Sequence, residues 1–214
     1  MIYYDIHTHQ PAVDPEDVAI VNRIIGRDQE EISFPGQWCS VGIHPWYINN
    51  VQEQLSCLES VALSPSVVAI GEAGLDKLTE TSLKIQQEVF LEQVALAERV
   101  GKPLVIHCVK AWSELVAARK SVKPHMPWVI HGFRGNAELA LLLTGQGFYL
   151  SFGEYFNPQA LQVARTGCLF AETDEKKVDI RSVYRRIASS LQISLEELAA
   201  ILEKNMQNVF PFVR

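Results

Sequence analysis

The feature that most constrains this chain is the regular alternation of short apolar runs with helix-like segments. Several runs are apolar throughout, which is typical of parallel strands covered on both faces. Helical spacing fills most of the gaps, as in residues 81–100, which end before Gly101-Lys102-Pro103. The eight predicted strands are Ile2–His7, Val18–Ile25, Trp38–Ile43, Val67–Gly71, Pro103–His107, Pro127–His131, Gly147–Phe152 and Cys168–Glu172. This alternation predicts an α/β fold.

The number of these units predicts a (β/α)8 TIM barrel. Eight units in 214 residues make a compact and somewhat irregular barrel. The second run also fits a helix, and the polar residues 26–37 that follow it are too few for an ordinary crossover helix. The alternative is an open doubly wound sheet, but the glycine-rich phosphate loop of that fold is missing. No linker-like tract divides the chain, so we expect a single domain over residues 1–214.

Charge and hydropathy narrow the range of partners. The formal net charge is −6, which disfavours a stable nucleic-acid complex held by surface charge. No apolar run approaches the roughly 20 residues that span a bilayer, so no membrane partner is expected. The segment MIYYDIHTH lacks the pattern of a secretory signal, and we expect a cytoplasmic protein. The four cysteines have no CxxC spacing and are expected to be structural thiols. The sequence does not indicate an oligomeric state.

Histidines and carboxylates stand at the ends of the apolar runs. In a strand, His7 and His9 share a face with Asp5, so the two imidazoles can chelate a divalent metal and Asp5 could orient one ring. A lone strand-end histidine is more often a buried structural group. The C-terminal ends of barrel strands meet at one mouth, however, so residues far apart in sequence converge there. The predicted metal ligands are His7, His9, Glu72, His107, His131 and Asp174.

These segments resemble the TatD family of metal-dependent deoxyribonucleases, a branch of the amidohydrolase-like barrels. The matching motifs, DIHTH, VGIHPW, AIGEAGLD, PLVIHC, WVIHGF and FAETD, follow in family order from residue 5 to residue 174, and KNMQNVF resembles the family's C-terminal helix. The resemblance implies two divalent ions, of which Zn and Mn suit mixed imidazole and carboxylate ligands better than Mg. The implied ligands are His7, His9 and Asp174 for one ion, His107 and His131 for the other, and Glu72 as a bridge.

The resemblance also implies a reaction, since the family hydrolyses phosphodiesters, notably at the 3′ end of DNA. Two ions about 4 Å apart can bind and deprotonate a water and then polarise the bond that it attacks. Glu72 and Asp174 would be the catalytic carboxylates, with Asp174 as the proton acceptor. Three residues are candidate substrate contacts, although each also has a structural alternative: His44, Asp76 and Arg134, whose planar fork suits phosphate. His125 precedes the sixth strand and is expected at the opposite end of the barrel, away from the chemistry.

The chain departs from the family pattern at several places near the mouth. Trp46 stands where a second histidine often follows GxHP, Lys77-Leu78 stands where aromatics are usual, and Val109-Lys110 replaces a common Arg-Asp pair. FAETD passes directly to EKKVDI, without the long proline-rich and basic loop that normally follows. The expected substrate is therefore a small phosphodiester or a DNA end.

Two other functions stay open at this point. An amidohydrolase-like enzyme would keep the metals and cleave an amide, a lactone or a carboxyl ester. A metal-binding protein without turnover is the nonenzymatic alternative. The intact Glu72 and Asp174 argue against the second, because hydrolysis depends on such carboxylates.

Overall fold

The computed structural model describes residues 1–27, 36–211 and 213. The strands are β1 Tyr4–Thr8, β2 Val18–Ile24, β3 Trp38–Gly42, β4 Val67–Asp76, β5 Leu104–Val109, β6 Trp128–Ile130, β7 Phe148–Phe152 and β8 Leu169–Ala171. The helices are α1 Val51–Ala62, α2 Leu83–Val100, α3 Trp112–Val122, α4 Ala137–Gly145, α5 Pro158–Ala164, α6 Ile180–Leu191 and α7 Leu195–Val209, with a 3-10 turn at Pro45–Tyr47. Within the described ranges, no helix is long and apolar enough to cross a membrane.

The strands form one sheet whose spatial order follows the chain order from β1 to β8. The β1–β2, β3–β4, β4–β5 and β7–β8 pairs are parallel. The predicted (β/α)8 fold class is confirmed. The chain divides into two compact units, which are described separately: a first unit of residues 1–21 and 129–214, and a second unit of residues 22–128. The single domain over residues 1–214 stays a prediction.

In the first unit, helices α4 to α7 accompany β1, β7 and β8. Phe148, Phe152 and Phe170 are buried, and an isolated bridge between Thr8 and Asp174 brings β1 beside the end of β8. The Tyr184 hydroxyl of α6 accepts a hydrogen bond from the Tyr4 N–H at 2.9 Å and donates one to the Tyr4 carbonyl at 3.2 Å. Helix α6 is therefore tied directly to the strand that carries His7.

In the second unit, buried glutamines hold the ends of strands. The Gln93 side chain of α2 accepts a hydrogen bond from the Ile43 N–H at 2.7 Å and donates one to the Ile43 carbonyl at 3.1 Å. Gln86 lies on the same face of α2, about two turns closer to the N-terminus, and bonds to the backbone N–H and carbonyl of Asp76 in the same way. Unpaired amides in a core cost free energy. These bonds therefore fix the backbone at Ile43, just after β3, and at Asp76, the last residue of β4.

Several predicted boundaries agree with the structure. Ser82 caps α2 by accepting a hydrogen bond from the Ile85 N–H at 3.4 Å, and α2 ends at Gly101 in the left-handed conformation, with φ at 67°. Ser194 caps α7 through the Glu197 N–H at 3.1 Å, as its capping-box pattern predicts. The second run is a strand, β2. Of the segment that was too short for a crossover helix, residues 28–35 lie outside the described residues.

The fourth predicted strand is too short, and this is a correction. The sequence ends it at Gly71, whereas β4 continues to Asp76 and is buried along its whole length. Glu72 therefore lies inside a strand, and Asp76 ends it. The extension is possible because Gly74 has no side chain: a Cβ there would lie 1.9 Å from the His107 carbonyl oxygen of β5.

Candidate metal centre

In the first unit, backbone hydrogen bonds place Asp174 beside His7 in β1 and His9 just after it. The Asp174 N–H donates to the His7 carbonyl at 2.9 Å, and the His9 N–H donates to the Asp174 carbonyl at 3.1 Å. Asp174 has a φ of 58°, in the left-handed region that aspartate tolerates better than most side chains. The main chain thus turns sharply at Asp174, while the N–H and the carbonyl of this residue remain hydrogen-bonded.

The side chains of this first cluster converge on one another. The His7 and His9 Nε2 atoms each lie 3.7 Å from Asp174 Oδ1, and the ring centroids of the two histidines are 5.5 Å apart. The His131 ring, which follows β6, has its centroid 4.2 Å from that of His7. The 3.7 Å separations are too long for hydrogen bonds but suit donors that share a cation. One ligand atom from each of His7, His131 and Asp174 falls within 4.8 Å of the others.

Glu172 is a further buried acid at this cluster, and sequence reasoning gave it no role. Its side chain is 0% exposed, its Oε1 accepts a hydrogen bond from the Gly132 N–H at 2.6 Å, and the same atom lies 3.5 Å from His131 Nδ1. Burial favours its neutral form, but the adjacent His131 ring, together with His7 and the Ser151 hydroxyl, outweighs burial and holds the pKa of the Glu172 carboxyl below its usual value. The sequence signal for it is a second acid in FAETD, directly after an apolar strand.

Asp5 contacts the end of β8, and the contact differs from the expectation that it orients a histidine ring. Its Oδ1 accepts a hydrogen bond from the Thr173 N–H at 3.1 Å, and its Oδ2 accepts one from the Thr173 hydroxyl at 2.6 Å. Burial raises the pKa of the Asp5 carboxyl to about 8, although the Thr173 hydrogen bonds oppose this shift. Asp5 thereby anchors the segment that carries Asp174.

In the second unit, a second cluster surrounds the Glu72 carboxylate. His107 Nδ1 lies 2.9 Å from Glu72 Oε1, and His44 Nε2 lies 3.2 Å from the same oxygen. The His44 and His107 ring centroids are 4.4 Å apart. Each of the three residues offers one ligand atom within 4.8 Å of the others.

Asn22 fixes the orientation of Glu72, and sequence reasoning missed it. The Asn22 amide donates to Glu72 Oε2 at 3.0 Å, and its carbonyl oxygen accepts from the Glu72 N–H at 3.0 Å. Because the Glu72 N–H can only donate and the Glu72 carboxylate accepts, these two bonds settle how the amide is turned, and the Ser40 hydroxyl donates to the same Asn22 oxygen at 3.2 Å. The available signal was the polar pair Asn22-Arg23 inside the otherwise apolar run VAIVNRII.

Asp76 supports His107 from the side opposite Glu72. Asp76 Oδ2 lies 3.0 Å from His107 Nε2 and accepts a hydrogen bond from Trp46 Nε1 at 2.6 Å, while Oδ1 accepts one from the Leu78 N–H at 2.7 Å. Burial opposes ionisation, yet these hydrogen bonds, led by the one from His107, hold the pKa of Asp76 below its usual value. In the structure Asp76 thus supports a histidine and closes a turn, and its role as a substrate contact stays a prediction. Such a carboxylate typically sets which nitrogen of a histidine faces a metal.

The remaining predicted residues lie outside these clusters. Arg134 is exposed in the segment after β6. His125 has a side chain that is 90% exposed, and it lies 3.2 Å from Glu98 in the connection before β6. The assignment of the predicted ligands to two particular ions stays a prediction.

The donor chemistry of both clusters fits a divalent metal ion. Each cluster combines neutral imidazole nitrogen with carboxylate oxygen, the set that Zn and other first-row divalent ions take. In each cluster the donors are largely removed from water, and supporting residues hold Glu72 and His107 in place. Buried carboxylates are otherwise stabilised only by paired charge and hydrogen bonds. Together with the (β/α)8 fold, these donors are typical of the metal-dependent hydrolase barrels.

Comparisons with known proteins give the family. The family model described as TatD related DNase matches residues 27–211. The chain therefore belongs to the TatD-related DNase family, and the resemblance to this family is confirmed.

Individual relatives agree with this assignment. The chain is 30% identical over 197 residues to the uncharacterized metal-dependent hydrolase YabD of Bacillus subtilis, covering 81% of this chain and 77% of that one. It is 34% identical over 116 residues to the 3′-5′ ssDNA/RNA exonuclease TatD of Edwardsiella piscicida, but this match spans only 53% of this chain and 45% of that relative. A solved TatD homolog, YJJV from Escherichia coli K12, superposes with a TM-score of 0.79 over 98% of both chains at 20% identity, which shows the fold alone.

Proposed function

We propose that this protein is a two-metal hydrolase that cleaves phosphodiester bonds, acting as a deoxyribonuclease on DNA ends or small phosphodiesters. The observation that carries the proposal is the presence of two imidazole–carboxylate clusters at the carboxyl ends of barrel strands. The family assignment supports a metal-dependent hydrolase, and the exonuclease name of one relative favours the phosphodiester.

The proposed ligands are those that the sequence predicts. His7, His9 and Asp174 would hold one ion, His107 and His131 the other, and Glu72 would serve both. This assignment differs from the observed clusters, which group His131 with His7 and Asp174, and His44 with Glu72 and His107. When bound, such ions supply the positive charge that activates a water molecule and stabilises the charge developing on a phosphoryl group. Asn22 would hold the Glu72 side chain, and Asp76 the His107 ring, in a fixed orientation towards the ions, because each bonds directly to its partner.

Asp174 is the proposed general base. Its side chain is 31% exposed, more than those of His7 and His9, so a water molecule and a substrate can reach its carboxylate. A carboxylate that lies beside the attacking water can accept a proton from it. The backbone bonds to His7 and His9 hold the accepting oxygens in place without using them.

Substrate contacts outside the ligands are few in this proposal. His44 would touch the substrate phosphate through its ring, and Arg134 would clamp a nonbridging oxygen. The net charge of −6 makes long-range attraction of a polyanion weak, so affinity would come from the metal pair and a small number of groups.

The test is a comparison of three substrates under one metal loading: single-stranded DNA, a generic phosphodiester and an uncharged carboxyl ester. We expect hydrolysis of both phosphodiesters and about two divalent ions per chain by elemental analysis. His107→Ala should abolish turnover, whereas His125→Ala, the matched histidine in the same unit, should leave it unchanged.

Three results would contradict the proposed function. Activity confined to the uncharged ester would favour the amidohydrolase-like alternative. A protein that binds metal and hydrolyses none of the three would favour a metal-binding protein without turnover. Equal losses in the His107 and His125 variants would remove the cluster from the chemistry.

A further inference from the structure

We propose that Trp46 is a stacking platform for the nucleobase next to the scissile phosphodiester. The inference rests on the proposed phosphodiesterase function and extends it to the substrate class, since it favours nucleotides over phosphodiesters that carry no base. It concerns a position where this chain departs from the pattern of its family, with Trp46 in the place of a histidine.

The indole ring is held in a fixed orientation beside the second cluster. Trp46 Nε1 donates a 2.6 Å hydrogen bond to Asp76 Oδ2, the same oxygen that lies 3.0 Å from His107 Nε2. The Trp46 N–H of the backbone also donates to His44 Nδ1 at 3.1 Å. A ring anchored at its polar edge loses little further freedom when a ligand binds, which favours affinity.

The indole ring of Trp46 is accessible from solvent. Trp46 is 56% exposed, whereas Trp128 is completely buried. The rings of His44 and His107 approach it at 88° and 75°, with centroids at 5.2 and 6.0 Å, so neither histidine stacks on it face to face. An exposed indole that is fixed by a carboxylate and borders two imidazoles is unlike an ordinary surface aromatic.

A nucleobase is the group that this arrangement fits. Stacking of a base on an aromatic side chain is tolerant of sequence, because every base has a flat π-face. The polar edge of Trp46 is already bonded to Asp76, so the ring offers a ligand contact through its faces and not through hydrogen bonding. In an acidic protein, uncharged stacking supplies affinity that surface cations do not.

The kinetic test compares oligonucleotides that end in a normal nucleotide with matched ones that end in an abasic residue. Trp46→Leu removes the ring and the N–H, whereas Trp46→Phe removes only the N–H and keeps an aromatic face. We expect Trp46→Leu to raise KM about tenfold for base-bearing ends and not for abasic ends, with Trp46→Phe close to the native protein on both. Leu63→Ala, at another exposed apolar side chain in the second unit, is the control and should change neither.

A binding measurement that does not depend on turnover uses tryptophan fluorescence. Deoxyadenosine monophosphate should quench the metal-loaded native protein, and this quenching should be absent in Trp46→Leu and absent with deoxyribose 5-phosphate. Equal KM changes on base-bearing and abasic ends, or no quenching in the native protein, would overturn the stacking proposal. If no phosphodiester is cleaved but the quenching persists and depends on Trp46, the proposed reaction fails while the base platform stands.

Discussion

At the scale of single residues, Asp174 combines three properties that rarely coincide. It has a positive φ, its backbone is bonded on both sides to β1, and its carboxylate faces two imidazoles at 3.7 Å. Backbone strain of this kind persists when the surroundings fix it, and it is common where a side chain must be aimed. The side chain is thus positioned by the main chain, and its chemistry can be changed without moving it.

We expect Asp174→Asn to lower kcat by about 10²- to 10⁴-fold with a much smaller change in KM, because the amide keeps the size of the side chain but cannot accept the proton. Steady-state kinetics at fixed metal loading, with the metal content measured on the same samples, would check this. Glu175→Gln, which removes an exposed charge from the next residue, is the matched control. An Asn variant with full metal and near-native turnover would reduce Asp174 to a bystander.

The raised pKa of the buried Asp5 carboxyl predicts that the stability of the protein depends on pH. Its carboxyl has a pKa of about 8 in the folded protein and an ordinary value of 3.8, so folding takes up a proton between these values. The free energy of unfolding contributed by this group therefore falls as the pH rises from about 4 to about 8. Asp5→Asn is neutral throughout and can still bond to Thr173, so its stability should decline less over this interval.

Urea unfolding of the metal-free protein at several pH values between about 5 and 8 would measure the difference. Asp14→Asn is the control, since Asp14 has a lowered pKa and stays ionised in both states over this interval. Stability curves of the native protein and Asp5→Asn that run parallel with pH would show that the buried carboxyl does not retain its proton.

At the scale of elements, the pairing of β4 with β5 builds the second cluster. Gly74 lies opposite His107 in the register, and no side chain fits between them. This close approach allows β4 to run on to Asp76, so that one strand presents both carboxylates that bond to His107.

Gly74→Ala should therefore destabilise the protein by several kcal/mol, on the order of an overpacked core position, and weaken metal binding. Gly145→Ala in α4 is the control, because its Cβ would meet nothing within 4 Å and alanine favours a helix by about 0.5–1 kcal/mol. Urea midpoints and metal titrations of both variants would decide. Similar midpoints for the two variants would show that β4 and β5 can separate without loss.

The apolar runs predicted the elements well, and the motif residues predicted most members of the clusters. Strand limits were less predictable, because a polar residue in a run was taken to end the strand. Glu72 and His107 instead lie inside strands, where close packing and buried partners accommodate them. Asn22 and Gln93 were missed for a related reason. The structural role of each amide depends on the group that it bonds to in the folded chain, and the local sequence does not specify that group.

At the scale of the whole molecule, the charge balance makes a prediction about nucleic-acid binding. A protein that contacts one or two phosphates should show a shallow dependence of affinity on salt, with a slope of about −0.7 per phosphate on single strands. We expect a slope of this size for 1/KM on DNA ends, and Arg134→Ala should make the slope shallower and raise KM by about 5- to 100-fold.

Arg165→Ala provides the comparison, since Arg165 is engaged with Glu197 on the surface at 2.7 Å. Initial rates over a range of salt concentrations would give the slopes. A steep slope that Arg134→Ala leaves unchanged would mean that a broader basic surface follows the DNA backbone.

The sequence separation between bonded residues also determines which of the two clusters is completed first during translation. Asp5 and Thr173 are 168 positions apart, whereas Glu72 and His107 are separated by only 35. A ribosome delivers the donors of the second cluster long before Asp174, the carboxylate of the first. Under the proposed two-metal function, complete metal loading would therefore follow the synthesis of Asp174.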